Sequence, residues 1–347
     1  MAGQVEINRY VGILEEASFG VVDDAASPLT AYDLTSGLTS VDLDAPKDPN
    51  IALPTVERFP TRHIPGYYSA SGSIEYAIDV NTIGWFLKWG LGGYKYTVGA
   101  GQSPNVHEFW SGRAINPTTF TTRIGKDAFE HVMSGCAINK MSLGVDKDLA
   151  TMKNDIIAQK DTKGTIRQPE DLNLIDSDIY PLAFYNVGTT IDNHEVSSSV
   201  KKWTWDYDNG FKAEDGQGQG SRFPYFWLNR PGKITLAIQL FTNDVSDQLM
   251  EYWGDTTGPN ADKPQTNFEV VTVFDSDAFG QMTVTFPSCY YTEVPSSYKG
   301  ADPMEPTLAV ALEAAEVTLT DASQELTPVY IKLENFEPEY KLGSGSS

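Results

Sequence analysis

The sequence predicts a mainly β fold: two tandem β-sandwich or β-barrel units, each with a short flanking helix. Three observations carry this. Gly72–Val80 alternates apolar Ile74, Tyr76, Ile78 and Val80 with Ser73, Glu75, Ala77 and Asp79, the period-2 signature of a strand with one buried face. The pattern recurs at Gly232–Leu240, and each copy leads to a short apolar stretch ending in Trp-Gly, at Trp89-Gly90 and Trp253-Gly254. Asp127-Ala128-Phe129 before Cys136 likewise matches Asp277-Ala278-Phe279 before Cys289. Lastly, 29 Gly and 20 Pro spread along 347 residues imply many turns. The strand blocks lie 160 residues apart (232 − 72) and the Trp-Gly ends 164 (253 − 89), so four residues separate the two registers.

Taken in order, residues 4–15 alternate loosely and form an opening strand. Residues 24–58, rich in Asp, Ser, Pro and Thr, read as a long irregular segment, a kind of loop that is often functional. Asn81 or Thr82 caps a helix whose apolar positions run through Ile83, Phe86, Leu87 and Trp89–Leu91, with Gly90, Gly92 and Gly93 stopping it. The second unit repeats this from Thr242 or Asn243 through Val245, Leu249, Met250 and Trp253 to Gly254. Further strands are expected at 118–124, 137–143 and 150–158, then at 267–274, 281–286 and 307–314. Between the units, Ser198–Tyr207 reads as a strand closed by a hairpin turn at Asp208-Asn209-Gly210. Residues 329–333 form a last strand before a flexible end. The resulting domains are 1–165, with the long loop at 24–58, and 166–340, followed by a tail at 341–347. Trp89 and Trp253 are expected to pack each helix on its sheet.

Composition narrows the function. Net charge is −22, from 25 Lys and Arg against 47 Asp and Glu, which disfavours a nucleic-acid grip. No apolar run reaches the ~18 residues that span a bilayer, and the start lacks the basic end and apolar core of a signal peptide, so synthesis and folding in a cytoplasm are expected. Two cysteines at matching places read as one small buried hydrophobe per unit, with a bridge between the halves as the alternative.

Chemical motifs are weak. Gly216-x-Gly218-x-Gly220 lacks the Lys-Ser/Thr pair of a phosphate loop. Asp206-x-Asp208-x-Gly210 starts like a calcium loop and then has Phe211 where Gly is needed. The four histidines, His63, His107, His131 and His194, show no zinc spacing. No nucleophile elbow occurs. Neither an enzyme nor a cofactor or metal site is therefore expected. Tyr67, Tyr68, Trp85, Trp89, Trp203, Trp205, Tyr225, Phe226 and Trp227 offer material for a sugar platform, which makes a secreted or surface carbohydrate-binding β-sandwich the rival reading.

Several stretches resemble the major tail tube proteins of long-tailed bacteriophages: Arg9–Gly20, Gly72–Val80 with the Trp85–Gly93 helix, Ser134–Leu143, and Val200–Gly210 followed by Arg230–Leu240. The similarity covers most of residues 5–340 and departs around 24–58 and 94–117. It implies a virion tail subunit without enzymatic activity, made in the host cytoplasm, whose rings stack into a hollow tube. Two tube domains per chain imply rings of three with pseudo-six-fold symmetry. The implied partners are further copies of itself, the tape-measure protein, and the tail terminator and tip proteins. DNA passes without tight binding and no membrane is involved. Glu75 and Asp79 are candidate channel-facing acids, and Thr39, Asp42, Asp44, Asp48 and Asn50 candidate members of an arm between rings.

Overall fold

The computed structural model describes residues 9–22, 32–34, 38–44, 50–52, 63–68, 70–112, 117–126, 129–146, 148–166, 181–228, 230–241, 248, 252–253, 267–276, 279–294 and 306–341. In the first half the strands are β1 (Arg9–Glu15), β2 (Tyr32–Leu34), β3 (Leu38–Asp44), β4 (Asn50–Ala52), β5 (His63–Pro65) and β6 (Ala70–Ala77). The helix α1 (Ile83–Leu91) follows, then β7 (Gly92–Thr97), β8 (Asn105–Ser111), β9 (Phe120–Lys126), β10 (Phe129–Val145), β11 (Ala150–Ala158) and β12 (Lys160–Gly164). The second half holds β13 (Val187–Ile191), β14 (His194–Glu195), β15 (Val200–Asp208), β16 (Lys233–Leu240), β17 (Phe268–Asp275) and β18 (Gly280–Glu293). It ends with β19 (Thr307–Leu312), β20 (Ala315–Thr318), β21 (Gln324–Thr327) and β22 (Tyr330–Asn335). The protein is mainly β, with large antiparallel sheets.

One pairing order occurs twice. In the first half β1 pairs with β9 and β9 with the N-terminal part of β10. β11 and β12 run along the other side of β10, β6 joins β11, and β3 joins β6. In the second half β13 pairs with β17 and β17 with β18; β19 and β22 line the other side of β18, β16 joins β19, and β15 joins β16.

The irregularities also recur. Cys136 faces Phe120 and Cys289 faces Phe268, each beside a break in register. Breaks at Ile138/Lys140 and Tyr291/Glu293 follow, and those at Leu38/Ser40 and Val200/Lys202 correspond in turn. A bulge bends its strand and raises the local twist. Here the bends let the long strands β10 and β18 leave one group of partners and join another. Gly135, at φ +62°, makes the first bend, a backbone setting that suits glycine. Each cysteine thiol points back to the carbonyl three residues earlier, Met133 at 3.3 Å and Phe286 at 3.5 Å. Both are buried free thiols, so the inter-half bridge is ruled out. Burial pushes the Cys289 thiol up to about 12.

The ladders also resolve the four-residue discrepancy. Ile156 and Val310 occupy corresponding places before their breaks, and they face Gly72 and Leu236. The offset there is 164 (236 − 72), that of the Trp-Gly ends, so the Gly72/Gly232 likeness is one of pattern rather than register.

The halves are interlocked. The C-terminal part of β10 pairs with β15, and the β7–β8 hairpin of the first half adds to β22 of the second. A single hydrophobic cluster runs through both halves, from Val11 and Trp89 to Trp205 and Leu333.

Several sequence expectations are corrected. Asp208-Asn209-Gly210 makes no tight hairpin: β15 pairs with β16 across the long connection 209–232. The Asn209 amide is instead buried, donating to the Gly90 and Ile138 carbonyls at 3.0 and 2.9 Å. The 24–58 segment is not wholly irregular, since β2, β3 and β4 lie within it. Helix α1 appears as expected and ends at Gly92, in the left-handed region at φ 82°. Thr82 makes no side-chain cap; instead the Asp79 carboxylate accepts from the Asn81 and Thr82 backbone amides at 2.8 and 3.0 Å and so holds the turn that leads into the helix. Of the second helix, Thr242, Asn243, Val245, Leu249, Met250 and Gly254 lie outside the described residues, while Tyr252 and Trp253 are helical and half-buried.

Candidate functional site

The surface most open to function is one face of the continuous sheet β3–β6–β11–β10–β15–β16–β19. Its inner side is a row of apolar partners, Tyr76, Met152, Leu143, Trp205, Leu236, Val310 and Tyr291, each facing the next across a ladder. Strand alternation then sends their neighbours to the opposite face. One outward row reads Glu75, Lys153, Ser142, Asp206, Thr235, and the next reads Ser73, Asp155, Lys140, Asp208, Lys233. A shallow depression of about 910 Å³ runs along it, lined in part by Glu75, Lys153, Ser142 and Asp206.

Charge on this face is interleaved rather than uniformly acidic. Lys140 Nζ lies 3.6 Å from Asp206, and Ser142 donates to the same carboxylate. At one end Lys202 lies 3.6 Å from Asp146. Opposite charges set side by side cancel locally, so a polyanion meets neither a basic track nor a purely acidic wall.

Glu75 sits on this open face, half-buried, with Ser40 donating to it at 3.3 Å. Asp79 does not: it lies beyond the end of β6 and is 2% exposed. Desolvation raises its pKa, against the hydrogen bonds from Thr82 and Asn81 that lower it. The alternation from Ser73 fails at Asp79 because the strand ends at Ala77 and the chain turns into α1. Thr39, Asp42 and Asp44 belong to β3, a strand in the sheet rather than a free arm; Asp42 and Asp44 face Ser73 and Ser71. Asn50 opens β4 opposite Pro65, and Asp48 lies outside the described residues.

Other buried carboxylates hold elements together. Glu16 receives Thr119 and Thr121 hydroxyls and the Gly20 and Gly135 amides at 2.7–2.9 Å, tying the end of β1 to the β10 bulge. Glu130, fully buried, takes Tyr10 at 2.5 Å and Arg123 at 2.8 Å, linking β1, β9 and β10. Glu108 receives the Tyr330 hydroxyl at 2.6 Å and the Thr320 amide at 2.8 Å, anchoring the β20–β21 hairpin.

The sugar-platform aromatics divide. Trp85, Trp89, Trp203, Trp205 and Trp227 are buried. Trp89 stacks on Phe120 at 4.2 Å and 8°, and its Nε1 donates to Glu15 at 3.0 Å. Only Tyr67, Tyr225 and Phe226 of that set are exposed. Leu149, Tyr185 and Phe241 are exposed too, and periodicity gave no signal for them because each sits singly in a connection.

The described residues form a bent, interlocked β network with an open polar sheet face, and no helix among them is long and apolar enough to cross a membrane. A family model described as phage tail tube protein matches residues 7–279, well over half of the chain. The chain belongs to that family, and is thus a structural component of a bacteriophage tail. No curated protein matches it.

Proposed function

We propose that this chain carries two tube domains and forms rings of three copies with pseudo-six-fold symmetry, which stack into a conduit for genome passage around a tape-measure protein. The carrying observation is the doubled pairing order with its coinciding breaks, joined in-chain where β15 adds to β10. In the second half the place that β15 takes on β10 falls next to the end of β18, at Glu293 and Val294. Conversely β3, the counterpart of β15, is paired only with β6 among the described residues. A neighbour's β3 added beyond β18 repeats the in-chain joint, and three such joints alternate with three covalent ones around a ring. The open sheet face lines the channel, tail terminator and tip proteins cap the tube ends, and the chain has no catalytic role.

Native mass spectrometry and negative-stain microscopy of concentrated protein test this. The expected species is a ring of three times the 38.2 kDa chain mass. Six-copy rings, or monomers at every concentration, overturn it.

A further inference from the structure

The two ends of the open-faced sheet carry different apolar rims. The ladders fix which residues share an end: Lys140, Asp208 and Lys233 mark one, and Val145, Trp203 and Ile238 lie toward the other. The 209–232 connection closes the first end. It presents Tyr225, Phe226 and Leu228, exposed by 52, 46 and 42%. Tyr67, 43% exposed, joins them, because Tyr68 N donates to the Arg222 carbonyl at 2.7 Å and Arg222 donates to the Gly66 carbonyl at 2.9 Å. Trp227 fastens this connection from below, donating to the Gly135 carbonyl at 2.7 Å and meeting Phe19 edge-on at 5.8 Å.

The opposite end carries Leu149, in the β10–β11 connection, and Phe241, just after β16, exposed by 44 and 52%. Tyr185, 80% exposed, lies beside Leu149, since the Phe184 amide donates to the Asp148 carbonyl at 2.8 Å. The exposed charges also differ in sign: Lys212 and Arg222 on the first rim, where Arg230 pairs with Asp215, and Asp146 and Asp148 on the second, where Lys202 lies 3.6 Å from Asp146 and Lys201 sits over the Phe241 ring.

Large exposed side chains gathered at opposite poles of one sheet, with opposite charges beside them, match a second copy of this chain better than any single flat partner. We infer that the Tyr225–Phe226 rim of one copy docks on the Tyr185–Phe241 rim of the next, head to tail. A contact between unlike surfaces does not close on itself and generates an open filament. This rests on the stacked-ring reading above and assigns the surfaces that stacking uses.

Two exposed-residue variants test it, with unchanged melting temperature as the folding check. Phe226→Asp spoils the first rim and Phe241→Asp the second. Each alone should give rings but raise the concentration needed for tubes by tenfold or more. Mixed, they should give two-ring stacks and nothing longer, because one intact rim of each kind remains to form a single junction. At the concentration where the parent just forms tubes, tubes of normal length from either variant, or two-ring stacks from one variant by itself, overturn the head-to-tail assignment. An absence of rings in the parent protein instead overturns the ring reading.

Discussion

Single side chains show how burial decides a residue's role here. Trp89 is 2% exposed, stacked on Phe120 and hydrogen-bonded to Glu15, so Trp89→Ala should cost about 3–5 kcal/mol in denaturant melts. Trp253 is half-buried, and Trp253→Ala should cost less than half as much; equal losses would show that the second helix buries its tryptophan as fully as the first. His107 is fully buried between Tyr94 and the Glu337 carbonyl. Desolvation lowers its pKa to about 4, while hydrogen bonds to Glu337 and Asn335 oppose the shift. Its folded pKa lies below the unfolded value near 6.5, so the unfolded chain takes up the extra proton. Stability from this group is complete above about pH 6.5 and is lost as pH falls toward 4, by roughly 2–3 kcal/mol. His107→Gln should flatten that limb of the stability–pH curve. Asp79 works in the opposite sense, its raised pKa favouring the folded state as acid protonates it, so the histidine limb must be read by difference between the two proteins.

At the scale of elements, the corner where β1 meets β10 depends on one carboxylate. Glu16 accepts from two hydroxyls and two backbone amides. Glu16→Ala leaves buried donors without acceptors and should cost roughly 3 kcal/mol or more, with hydrogen exchange rising first in β1 and β9. Exchange that rises uniformly would show that the corner has no separate stability. Glu16 was not legible beforehand: an acid just past a strand looks like any solvated acid until its four donors converge from distant residues. Strands carried by clear alternation were legible. Ala150–Ala158 appears with the boundaries read from sequence, and β17 within one residue. β10 was foreseen only at 137–143 because its 17 residues cross a bulge at Gly135 that breaks the period. Asp79 was misplaced for a related reason, since alternation carries no mark of where a strand stops. β3 lies in a neighbourhood dominated by Asp, Ser and Thr, and its strand character comes from the ladder to β6.

For the whole molecule, the acidic excess of −22 is not gathered on the open sheet face, where four acids in the two outward rows meet three lysines. If this face lines the channel, Glu75→Lys with Asp206→Lys leaves two acids against five lysines there. Assembled tubes should then retain DNA at low salt and release it as salt rises. DNA passing those tubes as freely as the parent would remove this face from the channel wall. Matched Trp-Gly and cysteine positions made the doubled pattern legible in one dimension, and the cysteines fall at corresponding breaks in the ladders. Sequence alone could not show the interlocking of the halves, because the β10–β15 and β8–β22 ladders join residues with no common pattern.

The β20–β21 hairpin, finally, is inserted between β19 and β22, whereas only Gln159 separates β11 from β12. It lies against the β7–β8 hairpin, with Thr320 bonded to Glu108 and Lys95 paired with Asp321 at its tip, and leaves Glu316 and Leu326 exposed. An inner wall can therefore approach six equal staves while the hairpin marks every second one. Viewed down the axis, a three-copy ring should show three knobs 120° apart, a cyclic order fixed by simple division of the circle. Averaged end-on images would then have strong third-order rotational power, and trimming the hairpin to a short turn should shift that power toward the sixth order.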